Sequence, residues 1–316
     1  MANPGVLHQC TPRLVAFEHV LSASANPTPN TLLWIGGLGD GFLTVKYPKV
    51  IARLLPPDWS LVEVLLSSGY KGWGVGSLKR DARELGQCVE YFKASRLDKK
   101  VVLMGHSTGC QDVMEYLVGD VADDKPRPSV DGAILQGGLS DREAFGDIAQ
   151  KQGFKEKFDE IVKLAKEMID QGREHEIVPR RDNPVSDLLG APITAYRTFS
   201  LLAPGGDDDY FSSDLSDSTL ASTFGKIPKE TPVMFLLGAG DPYVPAYVDK
   251  EQLIGRFTRA IRDGGGVVDD INGGVVPEAQ HNLNDNTEEV REMLARRVVG
   301  FLQAVGTGVT PGTSRL

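Results

Sequence analysis

The chain has 316 residues, of which 41% are hydrophobic, enough apolar material for one large α/β domain or two smaller ones. Its 34 lysines and arginines against 43 aspartates and glutamates give a net charge of −9. The basic residues form no cluster, so the composition argues against nucleic-acid binding. No apolar run approaches the roughly 18 residues that span a bilayer, which predicts no membrane partner.

The number and spacing of the cysteines indicate whether the protein resides in a reducing or an oxidising compartment. The three cysteines, Cys10, Cys88 and Cys110, are far apart and odd in number. This pattern predicts neither a disulfide framework nor a zinc site, so no metal is expected. The N-terminal segment has no basic start followed by a continuous apolar run, so a secretory signal is not expected. The sequence therefore predicts a reduced, cytoplasmic protein.

Short β-branched runs alternate with longer amphipathic segments, a pattern typical of a mostly parallel sheet covered by helices. Strands are predicted at residues 14–19, 31–35, 61–66, 100–104, 132–136, 233–237 and 267–271. Helices are predicted at residues 43–55, 78–95, 111–119 and 287–302, from apolar residues recurring every three or four positions. The predicted fold class is α/β.

The alternation stops after the fifth of these strands. Residues 141–229 contain a helical stretch at 154–172 and an acidic turn, and they are too many for an ordinary connection of 2–6 residues. We therefore expect an inserted cap at 141–229 on a core made of residues 1–140 and 230–305. Residues 306–316 are rich in glycine, threonine and proline and are expected to form a disordered tail.

A motif of the form G-x-S-x-G lies at Gly105–Gly109, with Ser107 at its centre. It follows the apolar run at 100–104 directly and precedes a helical segment. In this setting a sharp turn lifts the serine hydroxyl above the carboxyl ends of the strands. The following helix directs its N-terminal N–H groups towards a developing oxyanion. The motif predicts that Ser107 is a nucleophile.

A serine nucleophile needs a base, and the chain offers five histidines. His281 lies in a polar loop before the last helix, where the order Ser…Asp…His requires the base. His106 lies inside the turn itself, and His8 and His19 precede it, with His19 in a predicted edge strand. His175 is surrounded by charged residues and is expected at a solvated helix end. His281 is the predicted base.

The acid that orients the base should follow a strand between the serine and the histidine. Asp241 emerges after the continuous apolar run at 233–237, in a loop that contains two prolines. Asp141, which follows the strand at 132–136, is the alternative acid. Chain position favours Asp241.

An oxyanion needs two hydrogen-bond donors. One is the backbone N–H of Thr108, the residue after the nucleophile. The second is expected from the glycine-rich loop after the strand at 31–35, at Leu38. The same loop has neither the G-x-G-x-x-G nor the G-x-x-x-x-G-K register, so a nucleotide site is not expected and no cofactor is predicted.

Together these features resemble the α/β-hydrolase superfamily over most of the chain. The segments TLLWIGGLGDGFLTVKY, LLSSGYKGWGVGSL, GHSTGCQDVMEYL and GAGDPYVP resemble a fungal hydrolase family that includes an intracellular esterase of fusarinine-type siderophores. The resemblance implies a triad of Ser107, Asp241 and His281. It also implies hydrolysis of ester bonds in hydroxamate chelates, which would release their iron.

A cationic ferric hydroxamate would suit a negatively charged chain. The predicted cap carries Asp207, Asp208 and Asp209 beside Tyr210, which we expect to attract such a small-molecule ester. Tyr70 and Trp73 are expected to line the pocket. The alternative is that the aspartates solvate a loop and the aromatic residues only pack.

Two other functions remain open at this point. The scaffold also suits a general carboxylesterase, lipase or thioesterase, or a binding protein without catalysis. The last three residues, Ser314, Arg315 and Leu316, resemble a peroxisomal address, which makes the peroxisome the alternative to the cytoplasm.

Overall fold

Eight strands form one sheet in the computed structural model, which describes residues 2–20, 28–120 and 126–308. The sheet order is β1-β2-β4-β3-β5-β6-β7-β8. The first two pairs, β1–β2 and β2–β4, are antiparallel, and every later pair is parallel. The strands are β1 (Gly5–Gln9), β2 (Val15–His19), β3 (Asn30–Ile35), β4 (Trp59–Leu65), β5 (Val101–His106), β6 (Gly132–Gln136), β7 (Val233–Gly238) and β8 (Gly274–Val276).

Ten α-helices lie within the described residues. None of them is long and apolar enough to cross a lipid bilayer. The helices are α1 (Tyr47–Leu54), α2 (Leu78–Ser95), α3 (Gly109–Val118), α4 (Asp141–Gln152), α5 (Lys155–Asp170), α6 (Pro184–Leu189), α7 (Ala195–Leu202), α8 (Asp217–Ser222), α9 (Lys250–Asp263) and α10 (Glu288–Thr307).

Helices cover both faces of the sheet, which confirms the predicted α/β layering. On one face α2, α3 and α9 bury Leu85, Val113 and Phe257 against the strands. On the other face α1 and α10 pack Ile51 and Phe301 in a second core. The central strands β5, β6 and β7 are buried along their whole length, as continuous apolar runs require.

Two predicted elements coincide with the structure residue for residue, the strand at 132–136 and the helix at 78–95. The predicted strand at 267–271 is wrong. Val268 makes only an isolated bridge to Val233, and the strand at the sheet edge is β8. Asp269 causes the difference, because its carboxylate accepts the N–H groups of Ile271 and Asn272 and folds the chain into a turn.

The ends of the first and last predicted helices differ from those in the structure. The helix predicted at 43–55 begins only at Tyr47, because Pro48 suits the first turn and Leu43 has a positive φ of 64°. The last helix continues to Thr307, so the first two residues of the predicted tail are helical. Residues 309–316, including the predicted peroxisomal address, lie outside the described residues. Strands β1 and β8 and helices α4, α6, α7, α8 and α9 lie outside the predicted elements. Strand β2 is flanked on both sides, so His19 is not in an edge strand.

The predicted insertion contains helices α4 to α8. Its first part builds separate small cores from α5, α6 and α7, together with Trp73 from the main domain. Its second part does not stand apart, since Phe211, Leu220 and Phe224 belong to the main core. The division of the chain into a core and a cap at residue 229 stays a prediction.

Candidate active site

Ser107 sits in a sharp turn between β5 and α3. Its backbone has a φ of 53°, in the left-handed region that non-glycine residues rarely adopt. The turn is held because the Ser107 N–H donates to the Gln136 carbonyl at 2.9 Å. Gly105 and Gly109 do not have positive φ, so their role is steric. A Cβ at Gly109 would lie 2.4 Å from the Ile35 carbonyl oxygen.

His281 and Asp241 complete a hydrogen-bonded chain with the serine. The His281 Nε2 lies 2.8 Å from Ser107 Oγ, and His281 Nδ1 lies 2.7 Å from Asp241 Oδ2. A buried carboxylate only accepts, so Nδ1–H donates to Asp241, and Nε2 can then accept the Ser107 hydroxyl proton. The other Asp241 oxygen accepts the Tyr243 N–H at 3.0 Å. The three residues therefore have the geometry of an activated nucleophile.

The loop that carries His281 is held by hydrogen bonds on both sides. The Asn286 side chain accepts the Gln280 N–H at 2.9 Å and donates to the Glu278 carbonyl at 2.8 Å. The Ala279 carbonyl accepts the Gly240 N–H at 2.9 Å, which joins this loop to the loop of Asp241. The Tyr243 ring packs edge-on against the His281 imidazole, with centroids 4.9 Å apart.

Both predicted oxyanion donors lie beside the serine. Leu38 and Thr108 line the same cavity as Ser107, and neither backbone N–H donates to an acceptor within the described parts of the chain. Their loop approaches the nucleophile closely, since a Cβ at Gly37 would lie 2.6 Å from Ser107 Cβ. Asp40 holds the loop, with its carboxylate accepting the Gly37 N–H at 2.9 Å.

The cavity above Ser107 has a volume of about 590 Å³, within the usual range of small-molecule sites. One wall comes from the loops of the triad residues. The opposite wall comes from α4 and α6, through side chains that include Phe145, Ile148 and Leu188. A second depression of about 670 Å³ lies between α9 and β8, and its lining has no serine–histidine pair.

The α4 wall is the part of the site that sequence reasoning missed. Asp147, Lys151 and Gln152 reach the cavity from this helix. The signal that could have found the helix is a capping box, because Ser140 accepts the Glu143 N–H at 3.1 Å and a glutamate stands three residues after the serine.

Asp141, the alternative acid, lies in the same cavity but does not contact the histidine. Its carboxylate accepts from Gln111 Nε2 at 2.8 Å. Burial raises the pKa of Asp141 to about 8, and the charge of the nearby Asp208 adds to the shift. The acid beside His281 is Asp241.

The structure corrects the predicted acidic cap. Asp208 is buried and pairs with Arg197 at 2.6 Å, and Asp209 pairs with Arg142 at 3.0 Å. Asp207 is exposed and accepts the Tyr196 hydroxyl at 2.5 Å. None of the three lines the cavity of Ser107, and each carboxylate has a partner inside the predicted cap.

The predicted aromatic contacts are also corrected. Tyr210 is buried in the main core, and its hydroxyl donates to Glu115 at 2.9 Å. Trp73 is 3% exposed and packs in the small core of the insertion. Tyr70 is half-exposed over Gly41. None of the three lines the cavity of Ser107.

The other four histidines lie outside the hydrogen-bonded chain of Ser107, His281 and Asp241. His19 is buried against Glu63 at 2.7 Å, and His8 contacts Glu18 at 2.8 Å. The His175 side chain is 90% exposed, as expected of a solvated helix end. His106 lies behind the triad, with its ring 5.1 Å from the ring of His281.

Comparison with known proteins finds relatives over nearly the whole chain. Residues 1–303 match a family described as Protein of unknown function (DUF1749). Fusarinine C esterase sidJ of Aspergillus fumigatus is 36% identical, with 96% of each chain covered. Esterase AN6793 of Emericella nidulans is 34% identical, over 96% of this chain and 93% of the relative.

Solved structures agree with the sequence relatives. The siderophore hydrolase EstB from Aspergillus fumigatus superposes with a TM-score of 0.84 at 35% identity, covering 96% of this chain and 98% of the other. A carboxyl esterase from Bacillus coagulans superposes with a TM-score of 0.61 at 14% identity, covering 96% and 99% of the two chains. The second likeness concerns the fold alone.

Proposed function

Since the chain belongs to the DUF1749 family and has the α/β-hydrolase fold, we propose that it is an esterase of hydroxamate siderophores, working through Ser107, His281 and Asp241. That it is an esterase follows from its close relatives, which are named as esterases and as a siderophore hydrolase. The observation that carries the mechanism is the continuous hydrogen-bonded chain from Ser107 Oγ through the imidazole to Asp241.

In the proposed reaction, Ser107 Oγ attacks the carbonyl carbon of the ester while His281 Nε2 takes its proton. The carbonyl oxygen becomes an oxyanion and accepts hydrogen bonds from the N–H groups of Leu38 and Thr108. Asp241 keeps the proton on Nδ1 and stabilises the imidazolium. The alcohol leaves with the proton from Nε2, and water then hydrolyses the acyl-enzyme by the same route.

The substrate part of the proposal is a fusarinine-type ferric chelate, in which ornithyl ester bonds join the hydroxamate units. It is supported by what the relatives are named for and by the net charge of −9, which favours a cationic ligand. Asp141 and Asp147 of α4 line the cavity that such a ligand would enter, and Asp147 is paired with Lys151 at 2.5 Å. The iron is cargo of the substrate.

The experiment is incubation of the purified protein with iron-loaded fusarinine C, its acetylated form and short-chain nitrophenyl esters, followed by mass spectrometry. Hydrolysis of the siderophore by wild type, with none by Ser107→Ala, is the expected result. Cleavage of nitrophenyl esters alone would keep the triad and reject the siderophore. If a serine-directed phosphonate failed to label Ser107, the catalytic proposal itself would fail.

A further inference from the structure

Gln136 contacts both the nucleophile and the base of the site. It is the last residue of β6 and is 1% exposed. Its backbone carbonyl accepts the Ser107 N–H at 2.9 Å, and its side-chain Nε2 donates to the His281 backbone carbonyl at 3.2 Å. One residue of the central sheet therefore joins two loops that are 174 residues apart in sequence.

The orientation of the Gln136 amide is determined by its neighbours. Trp34 Nε1–H can only donate, and it donates to the Tyr47 hydroxyl oxygen at 2.9 Å. The Tyr47 hydroxyl then donates to Gln136 Oε1 at 2.9 Å. His106 Nδ1 lies 2.5 Å from the same oxygen, so it must carry a proton and donate as well. Both lone pairs of Oε1 are used, and the amide nitrogen faces the His281 carbonyl.

A rotated amide would be costly in this environment. It would place NH₂ donors against the Tyr47 hydroxyl and the His106 N–H, and an oxygen against the His281 carbonyl. The Tyr47 and His106 groups are buried and the His281 carbonyl is partly buried, and an unsatisfied polar group is expensive in such surroundings. Burial, and then the nearby His281, lower the pKa of His106 to about 4, so its ring brings no charge into the network at neutral pH. The network therefore has one stable arrangement.

We infer that Gln136 is a positioning residue that sets the His281 loop against the Ser107 turn. This rests on the proposed function. Proton transfer requires the 2.8 Å contact between Nε2 and Oγ, and a displacement of about 1 Å can lower the rate roughly a hundredfold. Gln136 holds one side of that contact by its backbone and the other by its side chain. Gln136 does not line the cavity of Ser107, so we expect it to act on turnover rather than on binding.

The first test uses Gln136→Met, which keeps the side-chain length and removes the amide. With a nitrophenyl ester as the probe, kcat is expected to fall between about 10-fold and 100-fold while KM stays within about twofold. The matched control is Thr231→Val, which removes another buried side-chain bond to a backbone carbonyl, two residues before β7 begins. Unfolding temperatures are measured for both. An equal fall in kcat for the two variants would overturn the inference.

The second test uses Gln136→Glu, which keeps the shape and lets pH control the contact. A protonated glutamic acid can donate to the His281 carbonyl, whereas a carboxylate cannot, and burial raises the pKa of such a group. The ratio of kcat/KM between the variant and wild type is therefore expected to fall as pH rises. Ionisation of a buried glutamate also lowers stability, so the unfolding temperature of the variant is measured at each pH. A ratio that is independent of pH, or one that falls only where the variant unfolds, would contradict the inference.

The Ser107→Ala variant distinguishes failure of the proposed function from failure of the positioning role of Gln136. If this variant keeps wild-type activity towards the nitrophenyl ester, the proposed function fails. If it is inactive while both Gln136 variants have wild-type kcat, only the positioning role of Gln136 fails.

Discussion

Ser107 combines a strained backbone with a side-chain hydrogen bond to His281. Its φ of 53° places Oγ above the sheet, within 2.8 Å of the His281 imidazole. The strain is maintained because β5 before it and α3 after it are both buried, so the turn cannot relax without disturbing the core. The reactive geometry is therefore built into the fold.

The acid of the triad can be identified by comparing two isosteric variants. Asp241→Asn should lower kcat by roughly 10⁴-fold, because an amide in contact with Nδ1 favours the wrong imidazole tautomer. Asp141→Asn should cost far less, since the Asp141 carboxylate contacts Gln111 rather than the histidine. Steady-state kinetics on a nitrophenyl ester decide between the two. A larger loss for Asp141→Asn would make that residue the acid.

Asp141 also predicts how stability depends on pH. Its native pKa is raised to about 8 by burial and by Asp208, whereas an unfolded aspartate titrates near about 3.9. Between these values the native state holds a proton that the unfolded state has lost. The contribution of Asp141 to the free energy of unfolding therefore falls as pH rises through this window.

Asp141→Asn should remove this contribution. Urea unfolding at about pH 5 and about pH 8 measures it, and wild type should lose more stability than the variant over that interval. The same loss in both proteins would show that Asp141 does not titrate in this range.

At the scale of elements, the loop at residues 36–41 meets the turn of Ser107 without room for a side chain. Gly37→Ala would put a Cβ 2.6 Å from Ser107 Cβ and 3.2 Å from Ser107 Oγ. The loop that carries Leu38 must then move, and kcat should fall on the order of a hundredfold. Kinetics with an intact far-ultraviolet spectrum test this. Wild-type kcat would show that the loop position is not required.

The control for that variant is Gly255→Ala in α9, where an added Cβ meets no atom within 4 Å. Alanine is favoured over glycine in a helix interior, so the variant should gain about 0.5–1 kcal/mol of stability. Its kcat should match wild type, because α9 contributes no residue to the cavity of Ser107.

At the scale of the whole molecule, a buried ion pair within residues 141–229 is connected by a hydrogen bond to the segment that carries Trp73. Arg197 in α7 pairs with Asp208 at 2.6 Å and donates through Nε to the Trp73 carbonyl at 3.1 Å. Both charged side chains are nearly inaccessible to solvent, at 2% and 1% exposure. Asp208, which was expected to attract a substrate, thus fixes the arginine that contacts the Trp73 segment.

Arg197→Met should therefore destabilise the protein by about 3–5 kcal/mol, because it leaves the Asp208 charge buried and unpaired. Denaturant unfolding measures the loss. Arg173→Met is the control, since Arg173 and Glu176 form an exposed pair and little change is expected. If Asp208→Asn instead raised KM for a cationic ester without loss of stability, a role in substrate binding would have to be restored.

Sequence patterns predicted the parts of the site whose residues are consecutive in the chain. The strand, turn and helix around Ser107 are consecutive, so the glycine spacing and the apolar run predicted them directly. Chain order predicted His281 and Asp241 as base and acid, and the structure brings the two side chains into contact. By contrast, the strand predicted at 267–271 failed because the Asp269 carboxylate, invisible to a hydrophobic pattern, turns the chain.

By itself, the sequence determined the layered α/β fold and the candidate nucleophile, base and acid, because periodicity and motif spacing are properties of consecutive residues. Only the tertiary structure decided which carboxylates face the cavity. The aspartates at 207–209 are paired inward or held by a neighbouring hydroxyl, while Asp141 and Asp147 line the site. It also decided that Gln136 links Ser107 to His281. Such contacts depend on how distant segments pack, and burial, not composition, determines whether a charge meets a ligand or an internal partner.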